Sequence, residues 1–109
     1  MRWEVIFSRE AAEDLERIFD HLLAREMASA STDLAIPERA ITAIRQACQW
    51  LAHSPFSCRK ADHRPGANAF VRELIIAFGA TGYVALFEIR ENHQVIIGAI
   101  RHQREDDYH

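Results

Sequence analysis

Arg72, Arg101, His102, Arg104 and Tyr108 are the residues with which this chain could do chemistry. Cleaving RNA without a metal needs a base for the 2′-hydroxyl, an acid for the leaving oxygen and cations for the crowded phosphorane. His102 suits either proton-transfer role, Tyr108 suits the acid, and the three arginines suit a phosphate clamp. A meander of strands could bring Arg72 and Arg101 into one groove. The same residues without Arg72, namely Arg101, His102, Arg104 and Tyr108, also read as a surface that recognises another protein. Acids lie among them: Glu73, Glu105, Asp106 and Asp107. Arginines beside carboxylates pair with them as readily as with a substrate, and charged terminal segments are commonly partner surfaces.

A second set is Cys48, His53, Cys58 and His63, each five residues from the next. Four nitrogen and sulfur ligands invite a zinc reading. Five residues of helix turn the chain about 140° past a full turn, so Cys48 and His53 point apart. Cys48 also falls on an apolar stripe, where a free cysteine behaves as a small hydrophobe. No metal is expected. Nucleophile elbows, phosphate-binding loops and dinucleotide fingerprints are absent, so no cofactor is expected either.

The elements that would position these groups follow from periodicity. Residues 2–7 alternate Trp3, Val5 and Phe7 with Arg2, Glu4 and Ile6, a strand. Ser8 is a helix N-cap, followed by Glu10 in the first turn. Ala11, Leu15, Ile18 and Leu22 then recur at helical spacing, and Ala12, Phe19 and Leu23 widen the stripe, predicting a helix that ends near Arg25 or Glu26. A second helix starts either after a cap at Thr32 or Asp33 or at Pro37 itself. Ala40, Ile41, Ile44, Ala47, Cys48 and Leu51 mark its inner face, and it ends at His53-Ser54 because Pro55 disfavours helix before it. Residues 54–69 read as a long loop. Three strands follow: Phe70–Phe78, Tyr83–Arg90 and Gln94–Arg101, with turns at 79–82 and 91–93. Gly98 inside the last strand marks a bulge or a close backbone approach. The order β-α-α-β-β-β predicts an α+β fold, a helical hairpin on a small, mostly antiparallel four-stranded sheet, as a single domain over residues 1–109.

Composition fits that picture. The chain has 109 residues, 49% hydrophobic and 27% charged, with a net charge of −3. A domain of this size buries a core without staples. No strong overall field draws nucleic acid, so direct nucleic-acid binding is not expected. No apolar run is long enough to span a membrane. Two cysteines and no recognisable signal segment point to the cytoplasm. Charge is unevenly spread: residues 59–104 carry six Arg and one Lys against four acids, and Glu105, Asp106 and Asp107 follow. The hairpin has more apolar width than one sheet face needs, so Leu15, Phe19, Leu22, Ile41, Ile44 and Trp50 are candidates for docking a partner.

Several segments together resemble the RelE/ParE superfamily of toxins from type II toxin–antitoxin modules, the ParE branch in particular. They are Trp3 to Ala11 with Asp14-Leu15-Glu16, Leu51 to Ala61, Arg72-Glu73-Leu74, Gly82 to Phe87, and Ala99 to Glu105 with the Asp-Asp-Tyr that follows. The resemblance implies a plasmid-stabilisation toxin held inactive by a cognate antitoxin, most simply a ribbon-helix-helix protein with a tail. ParE-like members are understood to act on DNA gyrase and need no catalytic group. RelE-like members are ribosome-dependent mRNA endoribonucleases, and would use the Arg72, Arg101, His102, Arg104 and Tyr108 set. RelE-type sites also bring several lysines, and this chain has one, Lys60.

Overall fold

A computed structural model describes residues 2–30, 32–60, 71–79 and 81–103. The chain runs β1 (Glu4–Phe7), α1 (Arg9–Met27), α2 (Ala35–Trp50), a short 3-10 turn at Pro55–Ser57, β2 (Val71–Phe78), β3 (Thr81–Arg90) and β4 (Gln94–His102). The sheet order is β1-β4-β3-β2. β1 pairs parallel with β4, and the other two pairings are antiparallel. The predicted α+β architecture is therefore the observed one. Among the described residues, no helix is long and apolar enough to cross a membrane.

One face of the sheet carries the core. Ile76, Tyr83, Ala85, Phe87, Val95, Ile97 and Ile100 meet Ala11 and Leu15 of α1 and Ile44, Cys48 and Leu51 from α2 and its end. Alternation along each strand sends these residues to one side, and helical spacing sends their partners down to meet them. Burying Phe87, Ile44, Ile97 and Leu51, all essentially inaccessible, removes the largest apolar side chains from water. Each contributes roughly 1.5–3 kcal/mol before entropy is counted.

The start of α1 is fixed by one residue. The Ser8 side-chain oxygen accepts the Ala11 N–H at 3.1 Å, as an N-cap should, and its hydroxyl also meets the Gly98 carbonyl at 3.3 Å. One turn later Asp14 Oδ2 accepts the Ile100 N–H at 2.9 Å, and Arg17 pairs with the other oxygen. Both bonds land on the irregular part of β4. There Leu86 pairs with Ala99 but Phe87 pairs with Ile97, leaving Gly98 as the extra residue of a bulge. A bulge interrupts the ladder locally. The helix and its cap supply polar partners to the strand at the bulge and just after it.

Boundaries differ from the sequence reading where local hydrogen bonds decide. β1 begins at Glu4, two residues late. α1 runs on to Met27. Neither proposed start of α2 is the observed one: the helix begins at Ala35, with Leu34 in the cap position. Asp33 still serves that end, since its Oδ1 accepts the Ala35 N–H at 3.0 Å. Pro37 thus sits within the first turn, where its missing N–H costs nothing. The helix stops at Trp50, and residues 51–53 tighten into i→i−3 bonds such as Leu51 N–H to Cys48 C=O at 3.0 Å, a common way to end a helix. β2 begins at Val71; residues 61–70, which include most of the expected loop, lie outside the described set. The β2–β3 turn is shorter than predicted. Gly79 supplies its left-handed conformation at φ 63°, and Thr81 and Gly82 already belong to β3.

Candidate functional site

Register decides which candidate residues share a surface. Residues directly paired across strands lie on the same face. Arg72 pairs with Phe87, and Phe87 with Ile97, so Arg72 stands on the helix-covered face. Arg101 pairs with Val84, and Val84 with Ile75, so Arg101 stands on the opposite face. The expectation of one groove holding both arginines is therefore wrong. It failed because the Gly98 bulge shifts the alternation of β4 by one residue. Arg101 is exposed, and its neighbour His102 returns to the helix side, half-buried.

His102 is held by two groups that spacing alone did not single out. Its Nε2 lies 3.0 Å from Thr81 Oγ1, and its ring meets Tyr83 edge-on at 5.5 Å between centroids. Tyr83 is almost fully buried, and desolvation pushes its phenol above the ordinary tyrosine range, with Arg25 opposing the shift. Such a phenol stays protonated at neutral pH. Both residues come from the first three positions of β3, across from the end of β4. The pairing of Tyr83 with His102 would have found them, but register cannot be read from one strand. Arg104 and Tyr108 lie outside the described residues.

Arg72 is instead tied to the segment after α2. Its Nη1 donates to the Cys58 carbonyl at 2.6 Å, and its guanidinium lies 5.4 Å from the centre of the Phe56 ring. Beside it opens a cleft of about 360 Å³ lined by Trp3, Phe56, Lys60, Arg72, Ile89, Arg90 and Glu91. Arg90 also pairs with Glu88 at 3.1 Å.

The candidate docking residues separate by burial. Leu15, Leu22 and Ile44 are 4%, 8% and 0% exposed and belong to the interior, so they offer no surface to a partner. Phe19 and Ile41 are half-buried, and Trp50 is 46% exposed. Trp50 borders a second, shallower cleft of about 490 Å³ with Ser57, Cys58, Arg59, Glu73, Leu74 and Ile75. Ile75 is itself 45% exposed, so apolar surface does remain outside the core, at the β2 edge rather than along the α1 stripe.

Among the described residues, no group of zinc candidates is gathered. Cys48 is sealed in the core, Cys58 is half-buried at the second cleft, and His63 lies outside the described residues. Burial raises the Cys48 thiol to about 12, with Arg45 opposing, and burial also raises Cys58, with Arg72 opposing. Thiolate is the reactive form. At pH 8, iodoacetamide is expected to modify Cys58 in the folded chain and Cys48 only as the chain unfolds, as counted by intact mass with and without denaturant. Both thiols ionise more easily unfolded, so they favour folding below pH about 9. That contribution falls as pH climbs from there through the raised folded-state values, towards about 12 for Cys48. Equal labelling of both thiols in the folded chain would contradict the buried placement of Cys48.

Comparison with known proteins agrees with this architecture. No functionally curated protein matches the chain. Several solved chains share its fold. One, from the chromosomal ParDE toxin–antitoxin system of Pseudomonas aeruginosa, superposes with a TM-score of 0.69 at 20% identity, covering 93% of this chain and 96% of that one. Another, from the RelBE2 toxin–antitoxin complex of Mycobacterium tuberculosis, gives a TM-score of 0.60 at 21% identity, covering 94% and 99%. The family model for the ParE toxin of the type II parDE toxin–antitoxin system matches residues 5–107. With nearly the whole chain matched, this protein belongs to the ParE family of type II toxin–antitoxin toxins.

Proposed function

We propose that the chain acts without catalysis in the cytoplasm, inhibiting DNA gyrase by occupying a protein surface, and that a cognate antitoxin neutralises it. The observation that carries the non-catalytic reading is the separation of Arg72 from Arg101 on opposite faces of the sheet. A phosphorane needs its cations and its proton donor converging on one reacting atom. Here the only candidate proton-transfer group among the described residues, His102, shares its face with buried Tyr83 and not with Arg101. A protein-binding surface has no such requirement; it needs complementarity alone. Neither direct nucleic-acid binding nor a cofactor is part of this reading.

The antitoxin is proposed to be a ribbon-helix-helix protein whose tail covers the exposed Trp50 and reaches the half-buried Phe19 and Ile41. The structural neighbours from P. aeruginosa and M. tuberculosis come from toxin–antitoxin systems, which supports a partner of this kind. A stable complex should bury more than ~1,000 Å². The alternative is ribosome-dependent mRNA cleavage of the RelE type, for which the shared fold leaves room. The test is induced expression with parallel read-outs of DNA breaks and translation, and gyrase supercoiling by purified chain with and without the adjacent gene product. The proposal expects inhibited supercoiling that the partner reverses. Intact supercoiling with codon-specific mRNA cuts would replace it with the RelE reading.

A further inference from the structure

The cleft around Arg72 combines features that the proposed target and docking surfaces leave unused. Its cations come from three separate places: Lys60 after the 3-10 turn, Arg72 on β2 and Arg90 at the end of β3. Its walls are aromatic and already fixed in position. Trp3 meets Phe56 edge-on at 5.6 Å and His93 at 4.7 Å, and Phe56 carries the Arg72 guanidinium on its ring. The backbone anchors the same corner: the Trp3 N–H donates to the Ala52 carbonyl at 2.8 Å, and the isolated bridge Lys60–Arg72 ties two of the cations together. The volume, about 360 Å³, takes one or two side chains.

We infer that this cleft receives a carboxylate-bearing segment of the antitoxin, one Asp or Glu placed between Arg72 and Lys60 with an apolar neighbour against Trp3 and Phe56. The inference rests on the antitoxin reading above. Charge selects the occupant. With Arg90 paired to Glu88, Arg72 and Lys60 against Glu91 still leave an excess of positive charge in the pocket, where a guanidinium and a carboxylate pair well. A nucleic-acid strand fits worse. It needs a basic track several phosphates long and open ring faces for stacking. The cleft offers one anion position, has an acid on its rim, and its rings are engaged with one another. Lys60 is exposed, so it adds attraction at the rim without holding the fold together.

The experiment measures binding of the full chain to the adjacent gene product by calorimetry at low and moderate salt. Lys60→Glu and Arg72→Gln are compared with the unaltered chain. Lys60→Glu is expected to weaken binding about tenfold and flatten its salt dependence, and Arg72→Gln to weaken it at least as much. Because Arg72 also bonds to the Cys58 carbonyl, circular dichroism checks its fold, and the exposed Lys60 variant stands independently. Reversing each antitoxin Asp or Glu to Lys in turn should then reveal one acid whose reversal restores binding to Lys60→Glu. Unchanged affinity and salt slope in both variants, with binding otherwise tight, overturns the assignment while leaving the antitoxin reading intact. No binding by the unaltered chain overturns the antitoxin reading and the assignment with it. Tightening of Lys60→Glu by basic peptides, without any restoring antitoxin acid, also counts against it. If UMP displaces the antitoxin from the unaltered chain but not from Arg72→Gln, the cleft is a phosphate site instead.

Discussion

His102→Gln is expected to keep most of the toxicity of the unaltered chain, while Arg101→Glu loses most of it. Glutamine keeps a polar group near Thr81 Oγ1, which lies 3.0 Å from the imidazole, and it fits the half-buried position beside Tyr83. What glutamine cannot do is exchange a proton near neutral pH. If His102 were a general acid or base, its loss would cost ~10²–10⁴-fold in cleavage rate. Arg101 is exposed on the other face, so reversing its charge leaves the core untouched. Its effect would come from a mismatched contact with the target, where like charges facing each other cost several kcal/mol. Colony counts after induction, with soluble protein measured alongside, decide the matter. Loss of toxicity in folded His102→Gln together with ribosome-dependent mRNA cleavage would sink the gyrase reading.

The largest loss of stability is expected from Gly82→Ala. Gly82 is buried in β3 opposite Ala77, and a methyl group there would be driven into the backbone carbonyl of Ile76. A backbone atom between two paired strands cannot swing aside as a side chain can. The strands must separate or shift, and overpacking of this kind costs ~1–3 kcal/mol or more. Gly98→Ala makes the contrast, since a methyl there finds only ordinary van der Waals distance to the Leu86 carbonyl, at 3.8 Å. Thermal unfolding of both variants should show Gly82→Ala far below the unaltered chain and Gly98→Ala within a few degrees of it. Equal melting temperatures for the two would contradict the strand geometry.

Much of the fold was legible because it rests on periodicity and on a few punctuating residues. Ser8 caps α1 as its type and place suggested. The alternation of Trp3, Val5 and Phe7 correctly placed the side chains in and just before β1 that pack on the core. The end of α2 was less legible, since Pro55 bounds the helix but tertiary packing and i→i−3 bonds decide where the last α turn stops. The site was less legible still. Leu15, Leu22 and Ile44 carry the same pattern whether a core or a partner covers them, and only burial separates the cases. The pairing of Tyr83 with His102, and the meeting of Trp3, Phe56 and Arg72, join segments far apart in sequence. No spacing rule within one segment records such meetings.

The extra residue in β4 has a consequence for inheritance. From Ile100 onward, the strand shows the sheet the opposite parity to the one its first four residues set. Excising Gly98 alone would take the offset away together with the residue that makes it. Ile97 would stay opposite Phe87 and Ala99 opposite Leu86 in an unbroken ladder, with Ile100 and His102 still towards the helices. Ironing the bulge flat while keeping Gly98 would instead turn Ile100 and His102 away and bring Ala99 and Arg101 in, placing a guanidinium among the aliphatic groups under α1. A one-codon deletion at this point therefore preserves the facing pattern of the strand's far end, whereas one at a neighbouring paired position does not. An alignment that places a gap here keeps inward residues paired with inward ones.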